Sequence, residues 1–163
     1  MEKITYQPIG VIHTPFNTPE NMPIQNAGGI GIKGTIEIFP EFEAGLKDIE
    51  GFSYLILLYH LHQVNHYSLQ VIPFLDTIEH GIFATRSPIR PNPVGMTVVK
   101  LLELKGCMLT IGGIDMLNQT PLLDIKPYLP KVDTLHDVRI GWFEGKTEKV
   151  ESYKSDNRFI KSK

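Results

Sequence analysis

Short runs of alternating apolar and polar residues cover most of this chain. Residues 9–13 are rich in β-branched side chains, and residues 30–39 carry isoleucines at 30, 32, 36 and 38. That spacing of two puts one face of a strand toward a core. Residues 54–62 read as a buried strand, 71–74 and 81–85 as short ones, and 122–125 and 138–143 as two more. Residues 97–104 and 107–114 flank Lys105-Gly106, which has the chemistry of a hairpin turn. The one helix predicted is short, over 41–48 after Pro40. Eight or nine short strands with hardly any helix predict an all-β fold, an antiparallel barrel or sandwich. The crossovers of a doubly wound sheet need more helix than this chain offers.

At 163 residues the chain suits one domain with a real core. Its apolar fraction of 42% and charged fraction of 21% are those of a globular protein. The composition shifts at Glu144: half of the last twenty residues are charged, which divides the chain into 1–143 and a tail over 144–163. Such a tail reads as disordered on composition alone; a neighbouring subunit is the expected support if it is ordered. A net charge of −2 excludes nucleic-acid binding driven by bulk charge, so RNA would need a local or shared basic patch. The single cysteine, Cys107, reads as a small core side chain and suits a reducing, cytoplasmic compartment. Met1-Glu2-Lys3 leads on without the apolar stretch of a secretory leader. The longest apolar run, 54–59, is far too short to span a membrane.

The densest chemistry lies at 84–96, Ala-Thr-Arg-Ser-Pro-Ile-Arg-Pro-Asn-Pro-Val-Gly-Met. Two of the four arginines, Arg86 and Arg90, stand among Pro88, Pro91 and Pro93. Prolines at that density exclude helix and fix most φ angles, so the segment is a stiff loop. Fixed guanidinium groups on a stiff loop suit an anionic or carboxylate-bearing ligand.

Three other patterns compete. Gly29-Ile-Gly31-Ile-Lys-Gly34 matches the spacing of a dinucleotide fingerprint, but a strand follows it where a helix is required. These glycines read as a flexible lead into the strand. His60 and His62 share a strand face, with His66 beyond and Glu79 and His80 further on. No third ligand stands at convincing metal spacing, so a structural or ligand-contacting role is expected and no metal site is assigned. Asp124, Lys126 and Tyr128 alternate along one strand and point the same way, lining either a wet cavity or the outer surface of the sheet.

Set side by side, these residues resemble the TsaA-like family, whose best-known members are the TrmO tRNA methyltransferases. The matching residues are Phe83-Ala-Thr-Arg-Ser87, Arg90-Pro-Asn-Pro-Val-Gly-Met96, Thr120-Pro121 and Asp124-Ile-Lys-Pro-Tyr-Leu-Pro130, with Ile9-Gly-Val-Ile12, Phe52-Ser53 and His62-Gln63 in support. The resemblance spans about residues 6 to 143. It implies a small β-barrel methyltransferase of non-Rossmann type, working as a homodimer. It also implies S-adenosylmethionine as cofactor and, as substrate, the exocyclic N6 of a threonylcarbamoylated adenosine beside the anticodon of tRNA. The cofactor is expected to contact Pro23, Ile24, Gln25, His62, Gln63, Arg86, Met96, Asn118, Gln119, Thr120 and Pro121. Two departures stand out. The family's Asp-Gly-Thr-Pro is Asn118-Gln119-Thr120-Pro121 here, and its Pro-Arg-Gln is Pro23-Ile24-Gln25. The first change removes a carboxylate and a glycine, the second a basic side chain.

A conjugated amine is a poor nucleophile, and a nearby proton acceptor helps it react. Asp124 is the first candidate for that role, with Lys126 and Tyr128 beside it. A homodimer would pool Arg90, Arg139 and the tail lysines into one anion-binding surface. The rival readings are a metal-dependent barrel enzyme using His60, His62 and His66, and a non-catalytic module that binds S-adenosylmethionine or a nucleotide.

Overall fold

The structure, a computed structural model, describes residues 2–156, 158 and 159. Eight strands occur among them: β1 (Gly10–His13), β2 (Lys33–Ile38), β3 (Tyr54–His60), β4 (Gln70–Val71), β5 (His80–Gly81), β6 (Val94–Lys105), β7 (Met108–Gly112) and β8 (Thr120–Pro127). Six of them close an antiparallel barrel in the order β1-β2-β7-β6-β3-β8, while β4 and β5 form a separate two-stranded pair. Barrel, not sandwich, is therefore the outcome, and closure leaves no barrel strand with an unpaired edge.

Alternation along each strand fills the interior. Ile12, Ile36, Ile38, Leu55, Leu57, Val99, Leu109, Ile111 and Leu122 are buried to within a few per cent, and Tyr59 joins them. Of the isoleucines spaced by two, Ile36 and Ile38 enter the core and Ile32 packs at its edge, but Ile30 is exposed. Gly31, at φ +86°, turns the chain before the strand begins. The β6–β7 hairpin pairs Lys105 with Met108, so its central residues are Gly106 and Cys107, one position later than expected. Gly106, at φ +55°, supplies the left-handed first position of a two-residue turn.

The two ends of the barrel differ. The connection over 39–53 closes the lower one with Phe42, Leu46 and Ile49 packed on the core. The expected helix over 41–48 is there a 3-10 helix, Pro40–Leu46, followed by another at Ile49–Gly51. Such short turns suit a seven-residue plug, and Asp48 at φ +68° breaks any longer helix. The upper end carries the long connections over 14–32, 61–93 and 113–119.

Three strand expectations fail. Residues 71–74 pair only at Gln70–Val71, because Pro73 has no N–H to offer. Residues 81–85 pair only at His80–Gly81 and then coil into a 3-10 helix, Ile82–Ala84. Residues 138–143 form no strand; Gly141 at φ +59° starts a 3-10 turn, Gly141–Phe143, and Val138 and Ile140 stay exposed. The one α-helix among the described residues is the single turn α1, Pro130–Asp133.

The tail, with the residues just before it, folds back on its own chain. Trp142 Nε1 donates to the Ala84 carbonyl at 2.7 Å and its ring stacks on His80, with centroids 4.7 Å apart. Lys146 Nζ donates to Asp76, which also accepts from His80 Nε2 at 3.0 Å. These donors hold the Asp76 carboxyl far below its ordinary range. Further on, Ser155 bonds to the backbone of Met22 and Lys154 bridges Pro23. Arg158 donates to the Pro73 carbonyl, and Phe159 packs against Val71, Ile82 and Ile89. Residues 157 and 160–163 lie outside the described residues.

Candidate functional site

Antiparallel order brings the expected cofactor residues to one end. β1 and β3 finish at the upper rim, and β6 and β8 begin there, so Gln25, His62, Gln63, Arg86, Asn118, Gln119 and Thr120 all lie in or beside its connections. Sequence separations of up to about a hundred residues collapse into one neighbourhood.

The proline loop carries no helix or strand over 85–93, and its two arginines take different roles. Arg90 Nη1 donates to the carbonyls of Thr85, Ile82 and Ser87, at 2.8, 3.2 and 3.4 Å. It builds the loop from inside through that one nitrogen. Arg86 is exposed, and its Nη1 donates to Gln25 Oε1 at 2.8 Å. This bond joins two expected cofactor segments. Gly95 completes the loop by its bareness: a Cβ there would lie 2.2 Å from the ring of Tyr59.

Residues 23–29 are pressed against residues 113–115. A Cβ at Gly29 would stand 2.2 Å from the Ile114 carbonyl oxygen, so this glycine serves close packing and not flexibility. Asn26 Nδ2 donates to the Val98 carbonyl at 2.9 Å, tying the same segment to β6.

The departing motif is engaged with the 13–17 turn. Asn118 Oδ1 accepts from the Thr14 amide at 3.1 Å, and its Nδ2 donates to Asn17 Oδ1 at 3.0 Å. Gln119 Nε2 donates to His13 Nδ1 at 3.0 Å, while His13 Nε2 donates to Glu37 at 3.0 Å. Gln119 sits at φ +62°, the left-handed region where a glycine is at ease. Gln119→Gly is therefore expected to leave stability within about 0.5 kcal/mol, relief of backbone strain offsetting the lost bond and the freer unfolded chain. Gln119→Val should lower it by roughly 1–2 kcal/mol, since a β-branched residue resists that conformation. Thermal melting of the two variants checks both.

His62 stands beside Thr120, Nδ1 3.4 Å from Oγ1, and burial followed by the His60 charge lowers its pKa. The His60, His62 and His66 reading finds no support in their placement. His66 bonds to its neighbour Asn65, and no group of three or more His, Cys, Asp or Glu side chains among the described residues is gathered for a metal ion.

Asp124 and Lys126 pair at 2.7 Å on the outer face of the barrel, both well exposed. Asp124 is opposite Leu58, whose other neighbour is Met96, so Met96, Leu58 and Asp124 form one row across three strands. Tyr128 carries the pairing one step past β8, its amide donating to the Tyr54 carbonyl at 3.0 Å, and its hydroxyl lies 2.9 Å from Thr134 Oγ1. Outer surface, not an interior cavity, is thus the outcome for this face.

One group went unnoticed in the sequence. Asp115, between buried Ile114 and Met116, has an enclosed Oδ1 with no hydrogen-bond partner. Burial pushes its carboxyl up to about 6, against the opposing pull of the Thr97 hydroxyl, the Asp115 and Asn26 amides and the Arg86 charge. A carboxyl raised on folding withdraws stability as pH climbs from its ordinary value toward about 6. The only sequence signal was an acid set between two large apolar residues after a Gly-Gly turn. Beside it, burial and then the Asp115 charge keep the Tyr59 phenol protonated, against a smaller pull from Arg86. The Ser87 hydroxyl oxygen is also enclosed and without a partner.

These features define a closed antiparallel barrel with a polar site on one rim, built by loops and not by a nucleotide-binding βαβ unit. The family model described as tRNA-methyltransferase O N-terminal domain matches residues 11–134. A "Probable S-adenosyl-L-methionine-binding protein" of Pyrococcus abyssi is 52% identical over 157 residues, which cover 96% of this chain and 85% of that one. The Homo sapiens "tRNA (adenine(37)-N6)-methyltransferase" is 34% identical over 139 residues, 81% of this chain and 32% of the human protein. The crystal structure of TrmO from Pseudomonas aeruginosa matches with a TM-score of 0.73 at 34% identity, covering 86% of this chain and 63% of that one. The protein belongs to the family of the tRNA-methyltransferase O N-terminal domain. It spans about a third of the human relative and less than two thirds of the solved TrmO chain.

Proposed function

We propose that this protein is an S-adenosylmethionine-dependent methyltransferase acting on N6 of an adenosine beside the anticodon of tRNA, with the threonylcarbamoylated base as its substrate. The observation that carries this is the Arg86–Gln25 bond, which joins the proline loop to the 23–25 segment on the rim where the other matched segments gather. The names of the Pyrococcus and human relatives support the cofactor and the reaction class.

The residues fit the cofactor's chemistry. An exposed guanidinium at Arg86, held on the rim by its bond to Gln25, suits the cofactor's carboxylate. Pro23, Ile24, Gln25, His62, Gln63, Arg86, Met96 and residues 118–121 are the groups proposed to hold it. When bound, S-adenosylmethionine supplies an activated methyl group that carries its own leaving group. The protein's share is alignment of donor and amine, and removal of a proton. Asp124 accepts that proton in this reading, and Lys126 orients it. An anticodon-loop base is already unpaired, which lowers the cost of presenting it.

The reading extends to a cytoplasmic homodimer. Leu129, Val132, Leu135, Val138 and Ile140 are exposed along the segment after β8, an apolar surface that a second copy would cover. Light scattering at micromolar concentration should give a dimer, and a species of monomer mass only would overturn that part.

Calorimetry with S-adenosylmethionine, then methylation of tRNA carrying the threonylcarbamoylated base with nucleoside mass spectrometry, tests the whole. Binding with transfer to that base supports it; no binding refutes it. A second reading, a binding module without turnover, is favoured by one observation. Asn118, where the family pattern has an aspartate, is occupied by Thr14 and Asn17. Binding without transfer to any tRNA would select that module.

A further inference from the structure

Asp115 takes no part in the proposed methyl transfer, yet it is the least satisfied charged group on the rim. Its Oδ1 is enclosed and partnerless. The groups that face it come from four elements: Tyr59 on β3, Thr97 on β6, the Asn26 amide, and Arg86 of the proline loop. Arg86 is the only full positive charge among these, and its Nη1 is bonded to Gln25. A carboxylate with one enclosed, partnerless oxygen is unfavourable alone and gains from any cation brought to the rim. Methyl transfer changes that charge: a sulfonium becomes a neutral thioether as the methyl group leaves.

We propose that Asp115 determines specificity for charge, its enclosed carboxylate acting through space to favour the sulfonium donor over the neutral thioether product. The inference rests on the reading that this rim binds S-adenosylmethionine. Because Oδ1 is enclosed, the effect is one of field and not of a bond from that atom. A carboxylate and a cation held at one rim of a protein favour each other enough for a preference of roughly tenfold or more. The same preference would hasten exchange of spent product for fresh donor.

A linked proton follows. Asp115 holds its proton up to about pH 6 in the free protein, so a bound cation expels it. Donor affinity should then rise as pH climbs through that value, while product affinity should not. Tyr59 stays protonated across this range, but His62 on the same rim also titrates, below its ordinary value. An asparagine at 115 separates the two groups.

The test is calorimetry of the full chain with S-adenosylmethionine and with S-adenosylhomocysteine, between about pH 5 and about pH 7.5. The parent should prefer the sulfonium compound, more so at the higher pH. Asp115→Asn should cut that preference roughly tenfold, flatten its pH dependence, and leave product affinity unchanged. Its melting temperature at the higher pH should equal or exceed the parent's, since the buried charge is gone. The same preference in parent and variant overturns the proposal, and so does a preference in the parent that ignores pH, a result that needs no variant. A parent that binds neither compound refutes the cofactor reading itself, and is told apart by that.

Discussion

Asp124→Asn is expected to lower methyl transfer to tRNA by roughly 10²–10⁴-fold, the range for a positioned acid–base group. The carboxylate stands on the outer face, paired with Lys126 Nζ at 2.7 Å. Through Leu58 it shares a row with Met96, two strand spacings or roughly 10 Å away. A flat base lying over Leu58 would span that interval. Asparagine keeps the shape and removes the capacity to take a proton. Because the ion pair is exposed, losing it should change stability by about 1 kcal/mol or less. Donor affinity should hold, since the group acts on the nucleophile. Transfer rate and thermal melting measured on one preparation decide the matter. A variant that melts like the parent and turns over at the parental rate removes Asp124 from the chemistry.

How much of the barrel could be read from the chain depends on the kind of signal. Ile36, Ile38, Leu55 and Leu57 announce their strands because a closed barrel buries every second residue, and burial of that period shows in one sequence. The hairpin over 94–112 shows for the same reason, with its glycine off by one position. Local patterns fail where tertiary contacts override them. Residues 138–143 carry strand-like side chains, yet Gly141 and the stacking of Trp142 on His80 take the chain another way. The tail is charged enough to read as disordered. Its Lys146, Ser155, Arg158 and Phe159 find partners sixty or more residues away, which composition cannot report.

The site was legible as segments and not as an arrangement. Proline density excludes a helix from the loop, as found, but cannot say which arginine is structural; Arg90 is, because three carbonyls converge on it. Alternation puts Asp124 and Lys126 on one face, but it cannot tell that the Tyr128 hydroxyl, one step past the end of β8, meets Thr134. Gly29 and Gly95 look alike in sequence to any flexible glycine. Each in fact makes room for a particular neighbour, the Ile114 carbonyl and the Tyr59 ring.

Arg86→Ala should weaken S-adenosylmethionine binding by about 1.5–3 kcal/mol, roughly ten- to 150-fold in affinity. Two contributions point the same way. The guanidinium is exposed and free to make a charge-assisted bond to a carboxylate, and it also fixes Gln25 through the bond at 2.8 Å. Losing the side chain removes the first and loosens the second. Lysine should restore only part of the affinity, because an ammonium cannot hold Gln25 and a carboxylate in one planar fork. Fold stability should change little, since the loop is held from within by Arg90 and not by Arg86. The removal of a nearby positive charge also predicts a further rise in the Asp115 pKa, as Arg86 is one of the groups that lower it. Calorimetry on the alanine and lysine variants, with melting curves beside them, separates these contributions. Unchanged affinity in the alanine variant would sink the assignment of Arg86 to the cofactor, and with it the rim as the place where the cofactor binds.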